Sequence, residues 1–143
     1  MVQRGLQLFD EVIIGIGFNE HKRGFIPIEE RLGSLRQFYA DNPRVRVDAY
    51  DCLTVDFAIS MQARFILRGV RSLKDYEYEK EMADINRHLG QLETVLLFAE
   101  ADVASISSSM VRELHHFRRD ISPYLPQGLV YPSLMSSGRN CPR

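Results

Sequence analysis

The chain has 143 residues, which suits one domain and excludes architectures that need about 200 residues or more. Lys and Arg total 18 against 19 Asp and Glu, and the formal net charge of −1 disfavours a nucleic-acid binder that depends on net positive charge. Hydrophobic residues make up 45% and charged residues 26%, a balance typical of a globular domain with a buried core and not of a disordered segment.

The sequence also argues against membrane insertion and secretion. The longest apolar run, Val12 to Phe18, is far shorter than the roughly 20 residues of a membrane-spanning helix, and no small-residue cleavage site follows it. Cys52 and Cys141 are too few and too far apart for a disulfide framework or a CxxC metal site. We therefore expect a protein of the reducing cytoplasm that has no membrane partner.

Helices and strands alternate in the predicted chain order. Residues 1–10 read as a helix, although no strand precedes them, and residues 11–18 read as a strand buried on both faces. A helix is predicted from residue 28, because Pro27 suits the first turn of a helix. The pattern then predicts a strand at 45–50, a helix at 53–62, a buried strand at 64–67, a helix at about 73–89, a strand at 93–99 and a helix opening at serines 107–109.

This alternation predicts an α/β fold with a doubly wound parallel sheet and helices on both faces. Ligands of such folds bind at the carboxyl ends of the strands, here after Phe18, Tyr50, Leu67 and Phe98. Residues 1–132 form one predicted domain, and residues 133–143 are expected to be a flexible tail.

Three groups of residues at this predicted sheet edge suit a phosphate. Arg68-Gly69-Val70-Arg71 follows a strand, and guanidinium groups hold phosphate oxygens bidentately, although a solvated loop explains the residues equally well. Ser105 to Ser109 precede a helix, whose free amides form an anion site, although serines also serve as ordinary N-caps. Lys22 lies in the polar loop after the first strand, where it could reach a phosphate, although a lone surface lysine is usually only solvated.

The remaining polar clusters need no functional explanation. Asp75 to Glu79 carry negative charge into the first turn of a predicted helix, where the helix dipole favours it. Neighbouring His115 and His116 point about 100° apart on a helix and cannot chelate one metal together. We therefore expect no metal site built from histidines.

Four motifs taken together resemble the bacterial phosphopantetheine adenylyltransferases, in register from Met1 to about Gly128. They are Arg68 to Arg71, Asp75 to Glu79, Asn86 to Leu89 and Ser105 to Ser109. Related cytidylyltransferases and nicotinamide-nucleotide adenylyltransferases share the fold, but they usually lack the RGxR and YEYE pair. The resemblance implies a Rossmann-like nucleotidyltransferase fold and a homohexamer of the cytoplasm.

The resemblance further implies transfer of AMP from ATP, with Mg²⁺, to 4′-phosphopantetheine, giving dephospho-coenzyme A and pyrophosphate. By the same resemblance, Lys22 and Arg68 would bind the phosphate of phosphopantetheine and act in catalysis, and Thr54 would line the pantetheine channel. The residues implied for ATP are Gly69, Val70, Arg71, Glu79, Val103, Ala104, Ser105, Ile106, Ser107, Ser108 and Ser109.

One family element has no counterpart in the sequence. Family members begin with a strand and a phosphate loop of the form T/S-F-D-P-x-x-x-G-H, whereas Met1 aligns within the following helix. We therefore expect the first strand and the family histidine to be missing, with a start placed at an internal methionine favoured over a decayed copy. The alternative function is a catalytically inactive module that binds nucleotides or forms oligomers. RNA binding has little support at a net charge of −1.

Overall fold

The computed structural model describes residues 1–18 and 24–135, so Lys22 lies outside the described residues. The elements in chain order are α1 (Val2–Leu8), β1 (Val12–Gly17), α2 (Ile28–Phe38), β2 (Val45–Tyr50), α3 (Thr54–Ser60), β3 (Phe65–Val70), α4 (Leu73–Gly90), β4 (Glu93–Phe98), α5 (Ser108–His116), a 3-10 turn (Ser122–Tyr124) and α6 (Pro132–Met135). The predicted order of helices and strands is confirmed. None of the described helices is long and apolar enough to cross a bilayer.

The described residues fall into two compact units. The first comprises Met1–Asp10 and Tyr50–Ser105, and the second comprises Glu11–Ala49 and the described part of Ile106–Arg143. Where the sequence predicts one sheet, the described strands form two sheets of two strands, β1 with β2 and β3 with β4. The α/β class is confirmed, whereas local periodicity did not reveal which strands pair.

The first unit is built on the parallel pair β3 and β4, which run in register from Phe65 opposite Glu93 to Val70 opposite Phe98. Val55, Ala58, Ile66 and Leu92 form its buried cluster. The helix α4 starts where the Oγ of Ser72 accepts a hydrogen bond from the Asp75 N–H, a cap that satisfies one free amide of the first turn. Packing of the cluster thus fixes the strand pair from which the site is built.

Strand β3 is longer than the sequence predicts, and this corrects the placement of three site residues. The prediction ended the strand at Leu67, but Arg68, Gly69 and Val70 continue it. The backbone ladder to β4 extends through these residues, and Val70 is buried with 3% of its surface exposed. A polar Arg68 does not end the strand because the ladder is made by backbone groups and not by side chains.

The second unit carries the pair β1 and β2. Ile16, Val45 and Val47 are buried, and the Arg36 guanidinium of α2 ties the helix to β2 by donating from Nε to the Val47 carbonyl at 3.0 Å. Burial of β1 on both faces, as predicted, is not observed, because Val12 to Ile14 are only partly covered.

The C-terminal part of the second unit differs from the predicted tail. The short helix α6 begins at Pro132, and the Ser133 N–H donates to Glu30 Oε1 at 2.8 Å. The predicted tail, residues 133–143, therefore starts inside a helix, and residues 136–143 lie outside the described part of the chain.

Candidate functional site

The carboxyl ends of β3 and β4 lie side by side in the first unit. Arg68 is opposite Leu96 and Gly69 is opposite Leu97, and the Ala99 N–H donates to the Val70 carbonyl at 2.8 Å just beyond the last pair. Because parallel strands end at the same edge, the segment after Val70 and the segment after Phe98 leave the sheet together. The predicted common edge is confirmed for this pair of strands, and its role in binding a ligand stays a prediction.

A cleft of about 600 Å³ opens at this edge. Its walls come from α1, from the ends of β3 and β4 and from the loop after β4. The lining residues are Met1, Gln3, Arg4, Leu67, Arg68, Gly69, Arg71, Leu97, Phe98, Ala99, Glu100 and Val103. Four predicted site residues, Arg68, Gly69, Arg71 and Val103, thus meet in one cleft of a size that small-molecule sites commonly have.

Arg68 is held by a bidentate ion pair with Glu79 of α4. Its Nε donates to Glu79 Oε2 at 2.8 Å, and its Nη2 donates to Oε1 at 2.7 Å. About half of the Arg68 side chain is exposed, at 49%, whereas the Glu79 side chain is 9% exposed. The hydrogen bond to Glu79 raises the pKa of Arg68, so the guanidinium remains charged throughout the pH range in which proteins stay folded. A fixed cation therefore lies at the cleft.

Arg71 is held in a second, more exposed pair. Its backbone N–H donates to Asp75 Oδ2 at 3.1 Å, and its Nε donates to the same oxygen at 3.2 Å. The backbone hydrogen bond from Arg71, followed by its side-chain bond, lowers the pKa of the Asp75 carboxyl. A carboxyl whose pKa is lower in the folded state stabilises the fold at neutral pH, and this contribution disappears as the pH falls through the folded-state pKa.

Replacing Arg71 by alanine should raise the pKa of Asp75 only part of the way to its usual value. The largest cause of the lowered pKa is the Arg71 backbone N–H, which alanine retains, whereas the guanidinium contribution is lost. A carbon-detected NMR titration of the Asp75 carboxyl measures this. A full return to the usual pKa, or no change at all, would show that the attribution is wrong.

Thr54 is the first residue of α3 and is not among the residues that line the cleft. Its Oγ1 shares a hydrogen bond of 2.9 Å with the Tyr50 hydroxyl, and the Tyr50 ring stacks on Phe57 with centroids 4.4 Å apart. Thr54 is only partly buried. Its predicted role in lining a pantetheine channel stays a prediction.

The loop after β4 presents Val103, Ala104 and Ser105 in the first unit. Val103 is 43% exposed and its N–H donates to the Glu100 carbonyl at 3.1 Å, so the segment forms a turn beside the cleft. Ser105 is exposed and Ala104 is partly covered. These residues are accessible, and their predicted contact with ATP stays a prediction.

The serine cluster continues in the second unit, where it opens α5. The Ser107 Oγ accepts a hydrogen bond from the Met110 N–H at 3.1 Å, which makes Ser107 the N-cap of the helix. Ser109 Oγ accepts from Arg112 Nη2 at 3.1 Å, and Ser108 is exposed. The predicted helix start is confirmed, and the ordinary capping role of Ser107 is observed; the predicted ATP contacts of Ile106 and of these serines stay predictions.

Comparison with known proteins agrees with this geometry. A family model described as cytidylyltransferase-like matches residues 1–114. The phosphopantetheine adenylyltransferase of Phocaeicola vulgatus is 53% identical over 129 residues, which are 90% of this chain and 85% of that protein. The chain belongs to the phosphopantetheine adenylyltransferase family. The phosphopantetheine adenylyltransferase of Bacteroides fragilis is 52% identical to this chain, over 90% of this chain and 86% of that protein. The phosphopantetheine adenylyltransferase of Porphyromonas gingivalis is 47% identical, over 91% of this chain and 85% of that protein.

For this phosphopantetheine adenylyltransferase family member, sequence reasoning missed the partners of the two arginines. It treated Asp75 as part of a solvated first turn and assigned Glu79 to ATP. One signal was available, because residues four apart share one face of a helix, which places Asp75 and Glu79 together. The contribution of Met1 and of Arg4 in α1 had no signal in the local sequence. Arg4 Nη1 donates to the Phe98 carbonyl at 2.6 Å.

Proposed function

We propose that this chain transfers the adenylyl group of ATP to 4′-phosphopantetheine, giving dephospho-coenzyme A and pyrophosphate, a step of coenzyme A synthesis. The relatives that match most of the chain are named phosphopantetheine adenylyltransferase. The observation that carries the proposal is the paired guanidinium of Arg68 at the wall of the cleft. A fixed, permanently charged donor of this kind suits a substrate phosphate.

In the proposed reaction, a phosphate oxygen of phosphopantetheine attacks the α-phosphorus of ATP. The bond from that phosphorus to the oxygen that bridges the α- and β-phosphates breaks, and this oxygen leaves with pyrophosphate. A phosphate monoester already carries most of its second negative charge at pH 7, so the nucleophile needs no general base. The protein aligns two polyanions and stabilises the charge of the transferring group. Arg68 would bind and orient the acceptor phosphate, and no covalent enzyme intermediate is required.

The proposed binding of ATP involves residues that line the cleft and residues that the resemblance alone assigns. Arg71, Val103 and the neighbouring Gly69 line the cleft. The absence of a side chain at Gly69 leaves room for the Met1 side chain, because a Cβ built at Gly69 would lie 2.7 Å from Met1 Cε. The residues from Ser105 to Ser109 are assigned to ATP by the resemblance alone. Lys22 is assigned to the acceptor phosphate by the resemblance alone.

We also propose that ATP enters with Mg²⁺, because this ion is usually bound through substrate phosphates together with one or two carboxylates. Within residues 1–18 and 24–135, no group of three or more His, Cys, Asp or Glu side chains could hold a metal ion.

Self-association and a cytoplasmic location belong to the same proposal. The homohexamer itself rests on the resemblance, and light scattering measures it.

The test is pyrophosphate release by the purified chain with ATP, Mg²⁺ and 4′-phosphopantetheine. We expect release that requires both substrates, together with dephospho-coenzyme A in equal amount by mass spectrometry. Pantetheine, which lacks the phosphate, should give no release. Binding of both substrates without turnover would contradict the proposal and favour the inactive nucleotide-binding module.

A further inference from the structure

We propose that Arg4 of α1 is a positioning residue for ATP, acting through the Phe98 carbonyl on one wall of the cleft. This wall, called the β4 wall below, is the segment 98–103, which contributes Phe98, Ala99, Glu100 and Val103 to the cleft lining. The inference rests on the proposed function, in which ATP occupies the cleft. It assigns to α1 an effect on ATP and not on 4′-phosphopantetheine.

The Phe98 carbonyl lies at the point where β4 ends. The Ala99 N–H donates to the Val70 carbonyl at 2.8 Å, so the carbonyl of Phe98, one residue earlier, points away from β3. Arg4 Nη1 donates to the Phe98 carbonyl at 2.6 Å. A hydrogen bond from a charged guanidinium is about twice as strong as one between neutral groups. The last carbonyl of β4 is therefore held by α1 and not by the ladder to β3.

The apolar side chains of the β4 wall are exposed. Phe98 is 69% exposed and Val103 is 43% exposed, so burial does not anchor them. The segment forms a turn in which the Val103 N–H donates to the Glu100 carbonyl at 3.1 Å. Segments with little buried surface open locally at a low cost in free energy. A hydrogen bond at the start of the β4 wall therefore has a large effect on where the wall lies.

The helix α1 is itself held against β3. Phe9, directly after the helix, packs on Phe65 at the start of β3, with ring centroids 5.4 Å apart. At the other end of α1, the Met1 side chain lies close to Gly69, where a built Cβ would be 2.7 Å from Met1 Cε. Because α1 contacts β3 near both ends of that strand, Arg4 fixes the β4 wall relative to β3.

The β4 wall suits the uncharged part of a nucleotide. Phe98 and Val103 bring apolar surface to the cleft, and aromatic side chains bind bases by stacking. The Glu100 carboxylate on the same wall disfavours a phosphate there. Arg68 is fixed separately, by Glu79. A displaced β4 wall should therefore weaken the binding of ATP and leave the binding of the acceptor phosphate unchanged.

The experiment compares Arg4→Met with the unaltered chain in steady-state pyrophosphate release. Methionine keeps an unbranched apolar side chain and a good helix propensity, but it has no N–H to donate. We expect the KM for ATP to rise about fivefold, and kcat and the KM for 4′-phosphopantetheine to stay within about twofold. Arg4→Lys keeps a charged donor and should recover most of the loss.

Arg64→Met is the matched control. Arg64 is exposed, directly precedes β3 and is not among the residues that line the cleft. Its replacement should change neither KM. An equal rise in the KM for ATP in both variants would overturn the inference.

Ligand binding distinguishes positioning of the β4 wall from a direct contact with phosphate. If Arg4 acts through the wall, Arg4→Met should weaken the binding of ATP and of adenosine by about the same factor in calorimetry, because both ligands carry the base. A loss confined to ATP would assign Arg4 to a phosphate and would overturn the inference.

Hydrogen exchange tests the structural step without activity. The amides of residues 98–103 should exchange faster in Arg4→Met than in Arg64→Met. Arg4→Gln, whose side chain is too short to reach the same carbonyl, replaces Arg4→Met if the methionine variant does not fold. Failure of the unaltered chain to release pyrophosphate contradicts the proposed function, whereas an active chain whose Arg4 variants keep a normal KM for ATP contradicts only this inference.

Discussion

Replacing Arg68 by alanine should lower kcat/KM for 4′-phosphopantetheine by about 100-fold or more, as is usual for the loss of one preorganised donor to a reacting group. The substitution removes the paired guanidinium from the wall of the cleft and leaves the acceptor phosphate without its fixed cation. The measurement is steady-state pyrophosphate release. A near-normal rate would contradict the assigned role.

The structure predicts a stability cost for this variant as well. Removing Arg68 leaves the Glu79 carboxylate, 9% exposed, without the partner that satisfies both oxygens. An unsatisfied buried acceptor costs about 1–3 kcal/mol. Thermal unfolding should therefore be measured beside activity, and the double variant Arg68→Ala with Glu79→Gln should recover part of the stability without recovering the rate.

Arg64→Ala is the matched control for this substitution. Arg64 directly precedes the same strand at its opposite end, where it is exposed and lies over the Phe65 ring at 5.8 Å. Its removal should leave kcat/KM unchanged. An equal loss of activity in both variants would assign the effect to the strand and not to the site.

Replacing Leu92 by alanine should destabilise the fold by about 2–5 kcal/mol, the usual range for a buried leucine. Leu92 is 5% exposed and packs in the cluster with Val55, Ala58 and Ile66 beneath the β3–β4 pair. The expected loss of stability combines the lost burial of apolar surface with the cost of the cavity that the leucine leaves behind. Denaturant unfolding measures it as a lower midpoint with an unchanged slope.

Leu73→Ala provides the control for the same chemical change. Leu73 is 73% exposed in the first turn of α4, so its truncation should change the free energy of unfolding by about 0.5 kcal/mol or less. An equal loss in both variants would show that the cluster is not the centre of stability in the first unit.

The sequence predicted elements well where side-chain periodicity reflects burial. Residues 45–50 alternate, and β2 has those bounds because Val45 and Val47 are buried while Arg46 is exposed. The predicted end of β3 was wrong, because Arg68 and Gly69 interrupt the apolar run while their backbone groups continue the hydrogen-bond ladder to β4. Pairing into two sheets was not predictable, because periodicity along one strand says nothing about its neighbour.

The candidate site, like the fold, was predictable only where the local sequence carries a signal. Arg68 and Arg71 were found because they follow an apolar run, and cations at the end of a parallel strand point to an anionic ligand. Glu79 is eleven residues from Arg68, and their contact depends on how α4 packs against β3. No local pattern encodes that packing, so the resemblance alone drew attention to Glu79, and the contact with ATP that it implies stays a prediction.

The most direct measurement of the central claim is the difference in dissociation constant between 4′-phosphopantetheine and pantetheine, by calorimetry, for the unaltered chain and for Arg68→Ala. If Arg68, fixed by Glu79, binds the acceptor phosphate, the unaltered chain should prefer the phosphorylated ligand by about tenfold or more, since charge-assisted hydrogen bonds contribute about 1.5–3 kcal/mol. The variant should lose most of that preference. An equal preference in both proteins would contradict the claim.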